Sequence, residues 1–295
     1  MPEKNKDKDL QLRNSSPRGR SGGAVILAAA GCGDPELITV KAARFLQQAD
    51  IVLTDRLVSE KILEEYVQPG TEIIYVGKQY NRDASVQQQE ICQLLLKYAL
   101  QNKLVVRLKG GDVSFFSNIL DELQILVDNN IPYEIIPGVT AASGAAAYAG
   151  IPLTARGYAT SVRFLTFYKK DIVTDEYWQE LAATKDTLVF YMSSETLDTV
   201  VENLVQHNID ATKLLAVVEQ ATTPQQNVSV TGLYNYDAAL KGKKFASPTL
   251  VIIGKVVALH NQFAWLQNNP GNENYFTSID KNINLLKVSE DAGGK

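Results

Sequence analysis

Val105-Val106-Arg107-Leu108-Lys109-Gly110-Gly111-Asp112 runs an apolar strand straight into two adjacent glycines and a carboxylate. Glycine has no Cβ, so it admits positive φ and lets a ligand approach the main-chain N–H and C=O groups directly. Taken alone, Gly-Gly-Asp marks only a strand-ending turn. It has company. A second apolar run, 24–30, leads into Gly31-Cys32-Gly33-Asp34-Pro35, and Asp55-Arg56-Leu57-Val58-Ser59 follows a third, 51–54. Polar and glycine residues thus recur just past strand carboxyl ends, where ligands bind in open α/β sheets.

Working outward, short apolar strands alternate with amphipathic helical segments, the pattern of an α/β architecture with largely parallel strands. Strands are expected at 24–30, 51–54, 72–76, 104–108 and 133–136, then at 162–167, 187–192, 214–219, 227–233 and 248–256. Asp34 is placed to cap a helix with Pro35 at its first position, and a small-residue helix is expected over 140–149. The division expected is a disordered tail at 1–22, an α/β domain at 23–137, a second at 138–267 and a polar tail at 268–295. No G-x-G-x-x-G follows the first strand, which argues against the dinucleotide-binding Rossmann pattern.

Composition narrows the function classes. The chain has 295 residues, 45% of them hydrophobic, enough for two domains of ordinary size. A net charge of −4, with no basic stripe interleaved with aromatics, speaks against nucleic-acid binding. The lack of a long apolar run or signal-peptide pattern leads to the expectation of a cytoplasmic protein off the membrane. Cys32 and Cys92 form no disulfide or zinc pattern, and His207 and His260 are isolated, so reduced thiols and no metal site are expected.

The ordered set Asp55-Arg56-Leu57-Val58-Ser59, Tyr75-Val76-Gly77-Lys78, Arg107 to Asp112, Pro137-Gly138-Val139-Thr140-Ala141-Ala142-Ser143, Tyr148-Ala149-Gly150-Ile151-Pro152-Leu153-Thr154, Val189-Phe190-Tyr191-Met192 and Thr222-Thr223-Pro224 resembles the tetrapyrrole (corrin/porphyrin) methylases, in their uroporphyrinogen-III branch. The resemblance runs from about residue 23 to about 258. It implies two α/β domains enclosing a cleft, pairing of the chain into a homodimer, and S-adenosylmethionine as methyl donor with S-adenosylhomocysteine as product. The reaction implied is methylation of two pyrrole carbons of uroporphyrinogen III to give precorrin-2, on the way to sirohaem or cobalamin. Residues 1–22 are too short for the dehydrogenase–ferrochelatase module of some relatives, so the chemistry is expected to stop there.

By the same resemblance, Asp55 is the proton acceptor and Lys78 the proton donor. Gly110, Gly111, Asp112, Phe115, Thr140, Ala141, Met192 and Ala221 line the cofactor, with Cys32 in place of the proline of a Gly-Pro-Gly-Asp turn. On their residues alone, Asp55 reads equally as a cap or a partner of Arg56, Lys78 as a solvated turn residue, and Phe115 and Met192 as core. Arg156, Asn118, Asp121 and Lys169 are the substrate-facing candidates.

Here the chain departs from the family pattern. Asn118-Ile119-Leu120-Asp121-Glu122 replaces Arg-Gly-Gly-Glu-Glu, Val113 replaces a proline, Ala155 a histidine, and Gln225 a basic residue. A substrate bearing eight carboxylates calls for arginine and lysine. Arg107, Arg82, Arg163 and Lys169 are the candidates to compensate. Two alternatives stay open: a methylase of this fold acting on another corrin intermediate or a protein histidine, and a tetrapyrrole-binding protein without turnover.

Overall fold

The computed structural model describes residues 22–76, 84–168, 173–269, 271 and 273–276, and, of residues 84–87, the backbone alone. Two compact units emerge. The first holds the described residues up to Gly31 and Pro35–Gly138, the second Cys32–Asp34 and Val139–Phe276.

In the first unit, β1 (Ala24–Ala29), β2 (Ile51–Thr54), β3 (Glu72–Tyr75), β4 (Leu104–Lys109) and β5 (Tyr133–Ile136) form one sheet in the order β3-β2-β4-β1-β5. Every pairing in it is parallel. The Rossmann order runs 3-2-1-4-5; here β4 lies between β2 and β1, which is a different topology. A parallel sheet must be covered on both faces, so its strands read as continuous apolar runs. Helices α1 (Val40–Leu46) and α2 (Glu60–Tyr66) supply Phe45, Leu46, Ile62 and Leu63 to one face, against Ile26, Val52 and Val106. Helices α3 (Ala84–Leu100) and α4 (Ile119–Asp128) bring Ile91, Leu95 and Leu126 to the other, against Val25, Leu27, Leu53 and Val105.

The helix expected from Asp34 starts later. Pro35–Leu37 is a single 3₁₀ turn, and α1 begins at Val40, where Thr39 Oγ1 accepts from Ala42 N at 3.2 Å. Asp34 is unavailable as a cap because its Oδ2 accepts from the Tyr148 hydroxyl at 2.7 Å.

In the second unit, β6 (Val162–Thr166), β7 (Thr187–Tyr191), β8 (Leu214–Glu219), β9 (Asn227–Gly232) and β10 (Thr249–Gly254) take the order β6-β7-β10-β8-β9. This sheet corrects the expectation of largely parallel strands. Only β6 and β7 run parallel; β7–β10, β10–β8 and β8–β9 are antiparallel. For β8–β9 the physical reason is loop length. A parallel return needs a crossover of a dozen or more residues, and only residues 220–226 join β8 to β9. Helices α6 (Asp175–Ala183) and α7 (Leu197–Gln206) pack Trp178, Leu181, Val200 and Leu204 on one face. The small-residue helix α5 (Ala141–Tyr148) lies on the other through Ala142 and Ala145. Two one-turn helices, α8 (Tyr236–Ala239) and α9 (His260–Phe263), complete the described α-helices.

Part of the expected polar C-terminal tail is tied to this unit. Asn268 Oδ1 accepts from Val228 N at 2.8 Å while its Nδ2 donates to Val228 O at 3.0 Å. Gln220 makes a similar pair further on, donating to Glu273 O at 3.0 Å and accepting from Tyr275 N at 2.7 Å. Phe276 is buried. Among the described residues, no helix is long and apolar enough to cross a membrane.

The first sheet's core sets an expectation for stability. Leu27 is 0% exposed at the centre of β1. Leu27→Ala is expected to cost about 2–5 kcal/mol in urea unfolding, whereas Val40→Ala, on an exposed helix face, should stay within about 0.5 kcal/mol of the parent.

Candidate active site

In the first unit the loops after β1, β2, β4 and β5 meet through their backbones. Gly31 and Gly111 exchange hydrogen bonds, Gly111 N to Gly31 O at 2.7 Å and Gly31 N to Gly111 O at 3.1 Å. A Cβ at Gly110 would stand 2.7 Å from Leu57 Cβ and 2.9 Å from Leu57 O. One at Gly138 would stand 2.5 Å from Ala29 Cβ and 3.0 Å from Gly111 O. Side chains are therefore excluded from both contacts. Gly111 is different: its φ is +73° and nothing lies within 4 Å of where a Cβ would point. Its backbone borders open space.

Asp55 sits just past β2. Its Oδ1 accepts from Leu57 N at 3.0 Å, its Oδ2 accepts from Gly110 N at 3.4 Å, and Arg107 Nη2 lies 3.9 Å from Oδ2. A carboxylate oxygen has about two acceptor positions, so among the described residues each retains one. The ion pair within 4 Å is with Arg107; Arg56 feels Asp55 as a nearby charge, while burial pulls its guanidinium below the ordinary range. Asp112 is buried and its carboxylate ties loops together, Oδ1 accepting from Ser114 N at 2.7 Å and Oδ2 from Gly138 N at 2.8 Å.

Further along, Phe115 is 38% exposed, and Asn118 takes φ +51° at the start of α4. Asp121 lies exposed in the first turn of that helix. Val113, in place of the family's proline, is fully buried.

The second unit gathers another group. Tyr191, at the end of β7, bonds Thr140 Oγ1 at 2.8 Å and accepts from Ala142 N at 3.0 Å, fixing the start of α5 beside Thr140 and Ala141. Met192 follows at φ +53° with its side chain 48% exposed. Ala221 lies between Gln220 at φ +47° and Thr222 at φ +67°. Positive φ is unusual outside glycine and a genuine outlier for a β-branched residue. At Thr222 the surroundings account for it: Oγ1 donates to Cys32 O and accepts from Asp34 N at 3.0 Å, while Thr222 N donates to Gln226 Oε1 at 2.9 Å. Cys32 presses against Gly144, where any Cβ would strike its Sγ. Burial pushes the Cys32 thiol up to about 11.

Arg156 is exposed in a turn closed by Ala155 and Ala159, with Gly157 at φ +84°. Lys78, Lys169 and Arg82 lie outside the described residues. Two of the compensating cations are committed elsewhere. Arg107 is 4% exposed and turned inward to Glu122, and Arg163 pairs with Glu180 at 2.5 Å and Asp186 at 2.6 Å. The sequence reading missed Tyr191, and it missed the acid that Arg107 faces. A signal existed for the acid: Arg107 and Lys109 fall two apart, on one face, of a strand whose neighbours demand burial.

The arrangement is that of a small-molecule enzyme built on two α/β sheets with glycine loops at the strand ends. A solved cobalt precorrin-4 methyltransferase shares it, with 27% identity, a TM-score of 0.70, and coverage of 80% of this chain and 95% of that one. So does the uroporphyrin-III C-methyl transferase of Thermus thermophilus solved with S-adenosylhomocysteine, at 34% identity, a TM-score of 0.66, and coverage of 80% and 93%. Residues 24–237 match the family model of the tetrapyrrole (corrin/porphyrin) methylases, and the chain belongs to that family.

Among curated proteins, the siroheme synthase of Pseudomonas aeruginosa is 46% identical over 245 residues, 83% of this chain and 52% of that protein. The siroheme synthase of Vesicomyosocius okutanii is 41% identical over 262 residues, 89% of this chain and 56% of that protein. The chain thus spans about half the length of the curated relatives it matches.

Two outcomes follow from the geometry. Gly111→Ala should cost about 1–2 kcal/mol, the left-handed backbone penalty alone, while Gly110→Ala, free of that penalty, should cost about 1–3 kcal/mol by overpacking against the Leu57 backbone; urea unfolding of both variants measures each loss. The half-buried, protonated Cys32 should react with iodoacetamide at pH 8 at least about tenfold more slowly than a free cysteine, since the thiolate is the nucleophile; mass spectrometry after timed quenching reads the rate.

Proposed function

We propose that this protein transfers methyl groups from S-adenosylmethionine to two pyrrole carbons of uroporphyrinogen III, giving precorrin-2. The observation that carries the reading is the bond from Gly110 N to Asp55 Oδ2, which joins a candidate base to a glycine loop with open space at Gly111. The names of the relatives agree with it, as do the retained motifs.

The residues suit the donor. In the first unit, Gly110 and Gly111 offer backbone next to open space, Asp112 holds their loop, and Phe115 offers an exposed aromatic face. In the second, Thr140, Ala141, exposed Met192 and the Ala221 backbone offer small or apolar contacts, with Cys32 bracing the Ala221 loop through Thr222. When bound, S-adenosylmethionine supplies the sulfonium methyl that the pyrrole carbon attacks. Asp55 takes the proton released by the acceptor, one for each methyl gained, at a free position on its carboxylate, and Lys78 is assigned the proton-donor role. General acid–base help of this kind is worth about 10²–10⁴ in rate, and in-line positioning contributes as much or more. Arg156, Asn118, Asp121 and Lys169 are assigned to the acceptor's carboxylates and edges. The reading includes a homodimer working in the cytoplasm.

The test is anaerobic incubation with uroporphyrinogen III and S-adenosylmethionine, followed by mass measurement of the oxidised products. Gain of two methyl groups is the expected result. No gain, with S-adenosylhomocysteine binding intact by calorimetry, sinks the acceptor assignment. Asp55→Asn should lower kcat by about 10²-fold or more and leave S-adenosylhomocysteine affinity within about threefold, the signature of a group acting in the transition state; a carrier would lose nothing.

A further inference from the structure

Arg107 projects from β4 into the first unit and is 4% exposed. Its guanidinium has five donors in a planar fork. Nη1 donates to Leu108 O at 3.0 Å and to Leu53 O at 3.4 Å, Nε donates to Glu122 Oε1 at 3.4 Å, and Nη2 faces Asp55 Oδ2 at 3.9 Å. Lys109, two residues on and on the same face, donates to the same Glu122 oxygen at 2.9 Å. Glu122 is fully buried, and its Oε2 has no hydrogen-bond partner among the described residues. The acid's position is therefore set through one oxygen by the two cations.

Charge balance gives the arrangement its meaning. Two cations against one buried anion leave an uncompensated positive charge, which is costly away from water. Asp55, 23% exposed at the edge of the group, supplies the second anion. Burial and Arg107 together pull the Lys109 ammonium below its ordinary range, with Glu122 and Asp55 opposing them. The four side chains act as a single set, and only Asp55 has appreciable access to solvent.

We propose that Arg107 is a positioning residue for Asp55: it joins β2, the end of β4 and α4, with its guanidinium oriented by Glu122, and so fixes the carboxylate that takes the acceptor's proton. This rests on the methyl-transfer reading above. It separates two functions that share a loop. The glycine loop is also held by the Gly31–Gly111 and Gly138–Asp112 bonds, which do not involve Arg107, so loss of Arg107 should disturb the base and spare donor binding.

The experiment measures kcat, KM and S-adenosylhomocysteine Kd for Arg107→Met, Arg107→Lys and the pair Arg107→Met with Glu122→Gln, which removes one charge of each sign and guards against misfolding. Misplacement of a reacting group by about 1 Å costs about a hundredfold, so kcat should fall about that far in Arg107→Met and in the pair, with Kd within about threefold. Arg107→Lys, a point charge without the fork, should recover part of the loss. A folded variant with kcat within about threefold of the parent overturns the proposal. So does an equal loss of donor affinity, which marks a general structural role. If the parent protein methylates no acceptor, the functional reading fails by itself, and thermal unfolding of Asp55→Asn, Arg107→Met and their combination decides the tether: non-additive Tm losses sustain it and additive losses overturn it.

Discussion

The closeness of backbone to backbone at Gly110, Gly31 and Gly138 is the constraint on which the first unit's site depends. Parallel strands deliver their carboxyl ends to one edge of the sheet, and ordinary side chains would hold the following loops several ångströms apart. With no Cβ at Gly110 or Gly138, Leu57, Ala29 and Gly111 fill the space instead. The loops can then bond each other and need no ligand to hold them. Asp55 and Asp112 complete the lattice by accepting backbone N–H groups from neighbouring loops. Preorganisation of this sort is what positioning catalysis requires.

The second unit reaches a similar end by different chemistry. Three non-glycine residues with positive φ, Met192, Gln220 and Thr222, lie just past strand ends. Such conformations persist only where surroundings over-determine them. At Thr222 those surroundings are Cys32, Asp34 and Gln226; at Gln220 they are Pro248 O, Glu273 and Tyr275. The buried polar residues 219–226 are therefore a hydrogen-bonded structure in their own right.

Much of this was legible in the sequence, for physical reasons that differ by element. Ile51 to Thr54 and Leu214 to Glu219 were readable to the residue because buried strands read as near-continuous apolar runs. Strand direction in the second sheet was not legible, because an apolar run looks alike in either direction and only the short 220–226 connection distinguishes them. Asp34 misled because cap and tertiary acceptor use the same carboxylate, and its partner Tyr148 is far away in sequence. The buried Glu122 was hidden by its place in a polar stretch, Ser117 to Glu122, that reads as surface. The family resemblance nominated the candidate residues; the geometry separated those with open space, such as Gly111, from those engaged in holding loops, such as Asp112.

β9 is the outermost strand of its sheet, pairing only with β8. An edge of that kind presents unpaired N–H and C=O groups and invites another chain to add itself. The carboxamide of Asn268, bonded to both the N–H and the C=O of Val228, occupies one such docking position with a side chain in place of a strand. A side chain has no further residues to extend the ladder. Asn268 thus works as a stopper against strand addition, and a chain shortened before it would carry its sheet edge into a crowded solution uncovered at that position.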